Sequence, residues 1–181
     1  MRRASLATLA KAPNLLSLSR IPLAAAFPLA SDSPLSSLCI LGLSGLSDVL
    51  DGWFARRLGQ HSELGRFVDP IADKVFMGSV VATLALDGRL PPWGVAALLV
   101  RDAFELVAAG IALTRPTHVD RDLRPRAPTR AGKLTTCAQF AAAVSAVIAP
   151  SALPKALLVA GALGFVAGLQ YATREVRGRR G

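Results

Sequence analysis

Apolar positions along the chain gather into six stretches, separated by short polar segments. The first covers residues 14–30, with Asn14 after Pro13 as a helix N-cap, and Asp32, Ser33 and Pro34 turn the chain. The second covers residues 35–58. It carries Arg56 and Arg57 in its last turn and Gly59 just beyond, a pattern that ends helices. The third runs over residues 69–86, followed by a polar turn at 87–92. The fourth, residues 92–114, is interrupted by Arg101, Asp102 and Glu105. Residues 115–130 hold Pro116, Pro125 and Pro128 among five arginines and read as a surface loop. The fifth and sixth stretches are residues 131–148 and 153–173. Since about 20 helical residues cross the hydrocarbon core of a bilayer, these lengths predict an all-α polytopic membrane protein with six transmembrane helices.

Composition agrees with this pattern. Of 181 residues, 52% are hydrophobic and 18% charged, which excludes a disordered chain and an ordinary water-soluble globule. The net charge of +9 raises nucleic acid as a partner, but the basic residues bracket apolar stretches and form no stripe interleaved with aromatics. The reading is therefore no nucleic acid. Sixteen of the 21 Lys and Arg fall in the amino-terminal segment, in the turn from Arg56 to Arg66, in the loop from Arg115 to Lys133 or in the tail; only Arg89 and Lys155 lie on the opposite side. By the positive-inside rule both termini are cytoplasmic. Arg20 interrupts the first apolar run, so that run reads as an uncleaved span and not as a signal peptide. The expected organisation is one membrane domain over residues 1–181, with a cytoplasmic amino-terminal segment at 1–12 and a basic tail at 174–181. Cys39 and Cys137 lie inside apolar stretches without metal-ligand spacing and read as small buried hydrophobes. His61 and His118 read as solvated loop residues.

Four aspartates are out of place in such a chain. Asp48, Asp51, Asp69 and Asp73 lie at or inside the facing ends of the second and third stretches, and each costs about 2.5 to 3.5 kcal/mol at a bilayer centre. On a helix, Asp48, Asp51, Gly52 and Ala55 share one narrow face of carboxylates and very small side chains. Asp69 and Asp73 share another at i and i+4, and the short turn between the stretches lets the two pairs meet. Asp69 before Pro70 is equally the pattern of an N-cap with proline at the first helical position. No such account serves Asp48 and Asp51, which approach the carbonyl end of their helix. Two divalent cations would balance four carboxylates, and oxygen-only ligands favour Mg²⁺ or Mn²⁺.

The run from Asp48 to Asp73 fits D-x-x-D-G-x-x-A-R-x8-G-x3-D-x3-D at all its fixed positions: Asp48, Asp51, Gly52, Ala55, Arg56, Gly65, Asp69 and Asp73. It resembles the signature of the CDP-alcohol phosphatidyltransferase family. The resemblance implies transfer of a phosphatidyl group from CDP-diacylglycerol to an alcohol with release of CMP, at an inner-membrane site facing the cytoplasm, by a homodimer in the lipid bilayer. It implies that Asp48, Asp51, Asp69 and Asp73 hold two metal ions and that Asp73 is also the general base on the acceptor hydroxyl. It further implies that Gly52 and Ala55 leave room for cytidine, that Gly65 lets the turn approach the nucleotide, and that Arg56 holds phosphate.

A second patch opens the fifth stretch: Arg130, Gly132, Lys133, Thr135, Thr136 and Gln139 combine cations, hydroxyls and a helix N-terminus. It reads either as a positive-inside flank or as a site for an anionic acceptor. Arg101 either pairs with Glu105 at i+4 or reaches towards that acceptor. Residues 13–20, 69–74 and 132–136 are similar to the branch of phosphatidylglycerophosphate synthases and cardiolipin synthases. A cationic patch favours an acceptor bearing phosphate, with glycerol 3-phosphate first, then phosphatidylglycerol or an inositol phosphate; Arg101-Asp102 points towards the cardiolipin synthases. Two other classes compete. Intramembrane aspartates also mark ion transporters, against which stand the lack of an internal repeat and the clustering of the aspartates at one face. A non-catalytic binding protein would be marked by an incomplete signature.

Overall fold

The computed structural model describes residues 12–58, 65–113 and 130–177. Among these there are seven helices and no strand: α1 (Ala12–Leu18), α2 (Arg20–Ala30), α3 (Pro34–Leu58), α4 (Gly65–Leu86), α5 (Pro92–Leu113), α6 (Arg130–Ile148) and α7 (Leu153–Arg177). The first predicted stretch is thus two helices with a break at Ser19. Pro22 explains the break, because its ring collides with the carbonyl four residues earlier, that of Leu18. The Ser19 hydroxyl satisfies the Leu16 carbonyl at 2.6 Å. Because α1 starts at Ala12, Pro13 stands in the first turn, where a missing N–H loses nothing, and Asn14 lies inside the helix instead of capping it.

Two further boundaries differ from expectation. Helix α4 begins at Gly65, a turn earlier than the third stretch, which places Asp69 inside the helix and removes the N-cap reading. Helix α7 continues to Arg177, so the first half of the expected basic tail is helical; residues 178–181 lie outside the described residues.

The chain divides into two compact units, Met1–Gly88 and Arg89–Gly181. In the first, α1 and α2 each pack against both α3 and α4, around Phe27, Leu41, Phe76, Val80 and Leu84. Pro28 has no N–H to offer the Ala24 carbonyl, and the Ser79 hydroxyl of α4 donates to that carbonyl at 2.6 Å. Small polar residues are buried among this apolar core, and the outer face of the unit is apolar as well. Ser17, Ser37 and Ser44 are fully buried, while Leu35, Leu43, Leu46 and Val49 are exposed and Leu29 is 88% exposed. Such an outer face suits an apolar medium. Gly88, at φ 69°, ends the unit by taking the left-handed conformation beyond α4.

In the second unit α7 packs against both α5 and α6. Gly161, Gly164 and Gly168 meet Ala97, Val100 and Phe104 of α5 so closely that an added Cβ would come within 3.1, 3.0 and 2.5 Å of those side chains. Small residues at this spacing let helix backbones approach. Gln139 of α6 donates to the Leu98 carbonyl of α5 at 2.6 Å. Cys39 and Cys137 are exposed, not buried as expected. Both project from outer helix faces, where an apolar thiol is at home in lipid.

Candidate active site

Asp48, Asp51, Gly52 and Ala55 stand at i, i+3, i+4 and i+7 of one continuous helix, α3. Asp69 and Asp73 follow each other by one turn of α4. The side chains of Asp51, Gly52, Ala55, Arg56 and Gly65 lie outside the described residues, as do His61 and His118. Gly65 opens α4 and does not belong to the preceding turn.

Two of the carboxylates, Asp48 and Asp69, are held by residues of α1 and α2. Arg20, 1% exposed, donates from Nη2 to Asp48 Oδ1 at 2.9 Å, whereas the Asp48 side chain is 56% exposed. Its Nε donates to Ser47 Oγ at 3.2 Å, and Ser47 in turn donates to the Ser44 carbonyl at 2.9 Å. The Ser17 hydroxyl bonds the half-buried Asp69 carboxylate, and the charges of Arg20 and Asp48 both act on it. Asp73 is half-buried. The pattern of the sequence treats Arg20 only as an interruption of an apolar run and passes over Ser17. The signal for Arg20 was nevertheless present, because an arginine within a span requires an acidic partner.

Among the described residues no three His, Cys, Asp or Glu side chains form a group that could hold a metal ion, and Asp51 stands outside that set. One atom tests whether a cation fits. Asp69 Oδ1 is buried and has no hydrogen-bond partner. An anionic oxygen in that state is costly unless it meets positive charge, and the charge of a second carboxylate, Asp48, acts on Asp69; carboxylate oxygens are the ligands of hard divalent cations. The residues fit such an ion.

In the second unit Arg101 reaches across to α6, donating from Nη1 to Thr136 Oγ1 at 3.1 Å and to the Gly132 carbonyl at 3.4 Å. The Glu105 side chain lies outside the described residues. Thr135 is buried and donates back to the Ala131 carbonyl at 2.9 Å, so Thr135 and Gln139 serve helix packing. Lys133 is exposed, and the Arg130 side chain is not among those described.

Helices with lipid-suited outer faces, no strand among the described residues, and aspartates carried on two of the helices define a class of membrane-bound protein. The profile of the CDP-alcohol phosphatidyltransferase family matches residues 10–168, and the chain belongs to that family. It is 35% identical over 146 residues to a probable cardiolipin synthase (CMP-forming) of Drosophila melanogaster, covering 71% of this chain and 44% of that protein. It is 41% identical over 129 residues to a CDP-diacylglycerol–glycerol-3-phosphate 3-phosphatidyltransferase of Aquifex aeolicus, covering 68% of each. Similarity to a probable phosphatidylglycerophosphate synthase of Mycobacterium tuberculosis is 32% over 189 residues, covering 97% of this chain and 85% of that one. The chain thus spans less than half the length of the fly protein.

Proposed function

We propose that this chain is an enzyme that transfers the phosphatidyl group of CDP-diacylglycerol to glycerol 3-phosphate, giving phosphatidylglycerophosphate and CMP. The observation that carries the reading is the complete eight-position signature on α3 and α4, with Asp48 and Asp69 held by Arg20 and Ser17. Glycerol 3-phosphate is favoured because the two relatives named for that product or acceptor are matched over 85% and 68% of their lengths.

In this mechanism the acceptor hydroxyl oxygen forms a bond to the phosphatidyl phosphorus as the bond from that phosphorus to CMP breaks. Asp73 takes the hydroxyl proton at its carboxylate. Arg56 holds phosphate with its planar donor fork, Gly52 and Ala55 leave room for the cytidine, and Gly65 allows close approach to the nucleotide. Asp48, Asp51, Asp69 and Asp73 would hold two Mg²⁺ or Mn²⁺ ions, which when bound supply neutralising charge to the pyrophosphate and the CMP leaving group. Arg101, Arg130 and Lys133 serve the phosphate of the acceptor.

Six membrane spans with both termini and the site on the cytoplasmic side of the inner membrane complete the proposal, with a homodimer as the working form. Two helices, Ala131–Ile148 and Leu153–Gln170, are long and apolar enough to cross a membrane. Helices α3, α4 and α5 have 25, 22 and 22 residues. At 1.5 Å per residue each exceeds a hydrocarbon core of about 30 Å. What lowers their hydropathy is their charged residues, among them those proposed for chemistry.

A second reading, cardiolipin synthesis with phosphatidylglycerol as acceptor, draws on the 35% identity to the fly protein and on Arg101-Asp102. Purified protein in detergent, given CDP-diacylglycerol, Mg²⁺ and a panel of glycerol 3-phosphate, phosphatidylglycerol and inositol phosphate, separates the two. Phosphatidylglycerophosphate and CMP are expected. A four-chain lipid formed only with phosphatidylglycerol would overturn the choice of acceptor.

A further inference from the structure

We infer that Arg20 is the internal counter-cation of the carboxylate site: it neutralises Asp48 while no metal is bound and competes with a divalent cation for that carboxylate. The inference rests on the reading that the aspartates hold such a cation. Arg20 is an arginine in an otherwise apolar helix, 1% exposed, and it is drawn to one oxygen of Asp48 at 2.9 Å. A guanidinium buried to that degree is stable only when paired. Ser47 fixes its Nε at 3.2 Å, so the charge is held in place and not merely nearby. Through space Arg20 and Asp48 both act on Asp69, whose Oδ1 is the buried atom without a donor.

Two consequences follow from one positive charge. Without metal, it offsets the repulsion among carboxylates gathered from two helices. With metal, it opposes the incoming cation and occupies Asp48 Oδ1, an oxygen that the cation would otherwise take. Ser17 works differently, because it hydrogen-bonds Asp69 without charge and leaves Oδ1 open.

The competition predicts a sign that a purely structural arginine does not. Mn²⁺ binding is titrated by electron paramagnetic resonance on the full chain in detergent, without lipid substrate, for wild type, Arg20→Gln, Arg20→Lys, Ser47→Ala and Asp69→Asn. Arg20→Gln should bind Mn²⁺ on the order of tenfold more tightly, since a full charge is removed at close range. Arg20→Lys should stay near wild type, and Ser47→Ala, which keeps the charge but frees Nε, should fall between. The melting temperature of metal-free Arg20→Gln should lie below that of wild type, with saturating Mn²⁺ closing the gap. Unchanged or weaker binding in Arg20→Gln, with Mn²⁺ binding still lost in Asp69→Asn, overturns the inference alone. If Arg20→Gln does not fold, an absence of tightening in Ser47→Ala overturns it equally. Absence of Mn²⁺ binding in wild type, or equal binding in Asp69→Asn, overturns the metal reading and this inference with it.

Discussion

Asp48 and Asp69 have different surroundings although both are carboxylates on helices. Asp48 is exposed and already engaged by Arg20, whereas Asp69 is half-buried with one oxygen unclaimed. Replacing Asp48, Asp51 or Asp69 with Asn should abolish CMP release and weaken Mn²⁺ binding, as measured by CMP assay and by titration. Asp73→Asn should leave CDP-diacylglycerol binding near wild type while slowing transfer by about 10² to 10⁴-fold, the usual contribution of a general base. The four aspartates were legible because the pattern that marks them lies within one short run of sequence. Arg20 was not, because its partner stands 28 positions away on another helix and no local spacing joins them. Ser17 gave still less, since a serine in a span carries no penalty that calls for explanation.

At the level of elements, hydrophobic patterning located the helices and missed what happens inside them. The break at Ser19 and the early start of α4 both involve proline. Pro22 acts on a carbonyl behind it, while Pro70 looked like a helix start and proved to lie within one. The pairing of Ser79 with the Ala24 carbonyl was hidden because it needs the fold to bring the two helices together. Ser79→Ala should destabilise the protein by about 0.6 to 1.7 kcal/mol, the range for such bonds between membrane helices. In a Pro28→Ala background the loss should shrink, because the substituted backbone regains the N–H that proline lacks; thermal unfolding of the four proteins closes the cycle. On α7, a Cβ at Gly168 would stand 2.5 Å from the Phe104 ring, which itself packs edge-on against Phe165 with centroids 5.8 Å apart. Gly168→Leu should therefore lower the melting temperature well below that of Gly161→Ala, whose new methyl would come no nearer than 3.1 Å to the Ala97 Cβ and 3.5 Å to its Cα.

At the level of the whole molecule, the reaction is tested through its two dependences. Chelation of divalent ions should abolish CMP release, and Mg²⁺ or Mn²⁺ should restore it. Lys133→Ala should raise the apparent KM for glycerol 3-phosphate far more than that for CDP-diacylglycerol, as steady-state kinetics would reveal. The family was legible from the signature alone, whereas the division into two compact units was not, because apolar stretches look alike wherever they pack. The apolar outer face of the first unit, with serines buried behind it, also reshapes what random mutation does to it. In a water-soluble domain the leucines are the fragile positions and the serines the forgiving ones. Here a saturation library should read the other way. Leu35, Leu43, Leu46 and Val49 should exchange freely for any residue that dissolves in oil, while the fully buried Ser37 and Ser44 should accept little larger than alanine or glycine. On that outer face hydrophobicity would then predict tolerance, and among the buried polar positions small size would predict constraint.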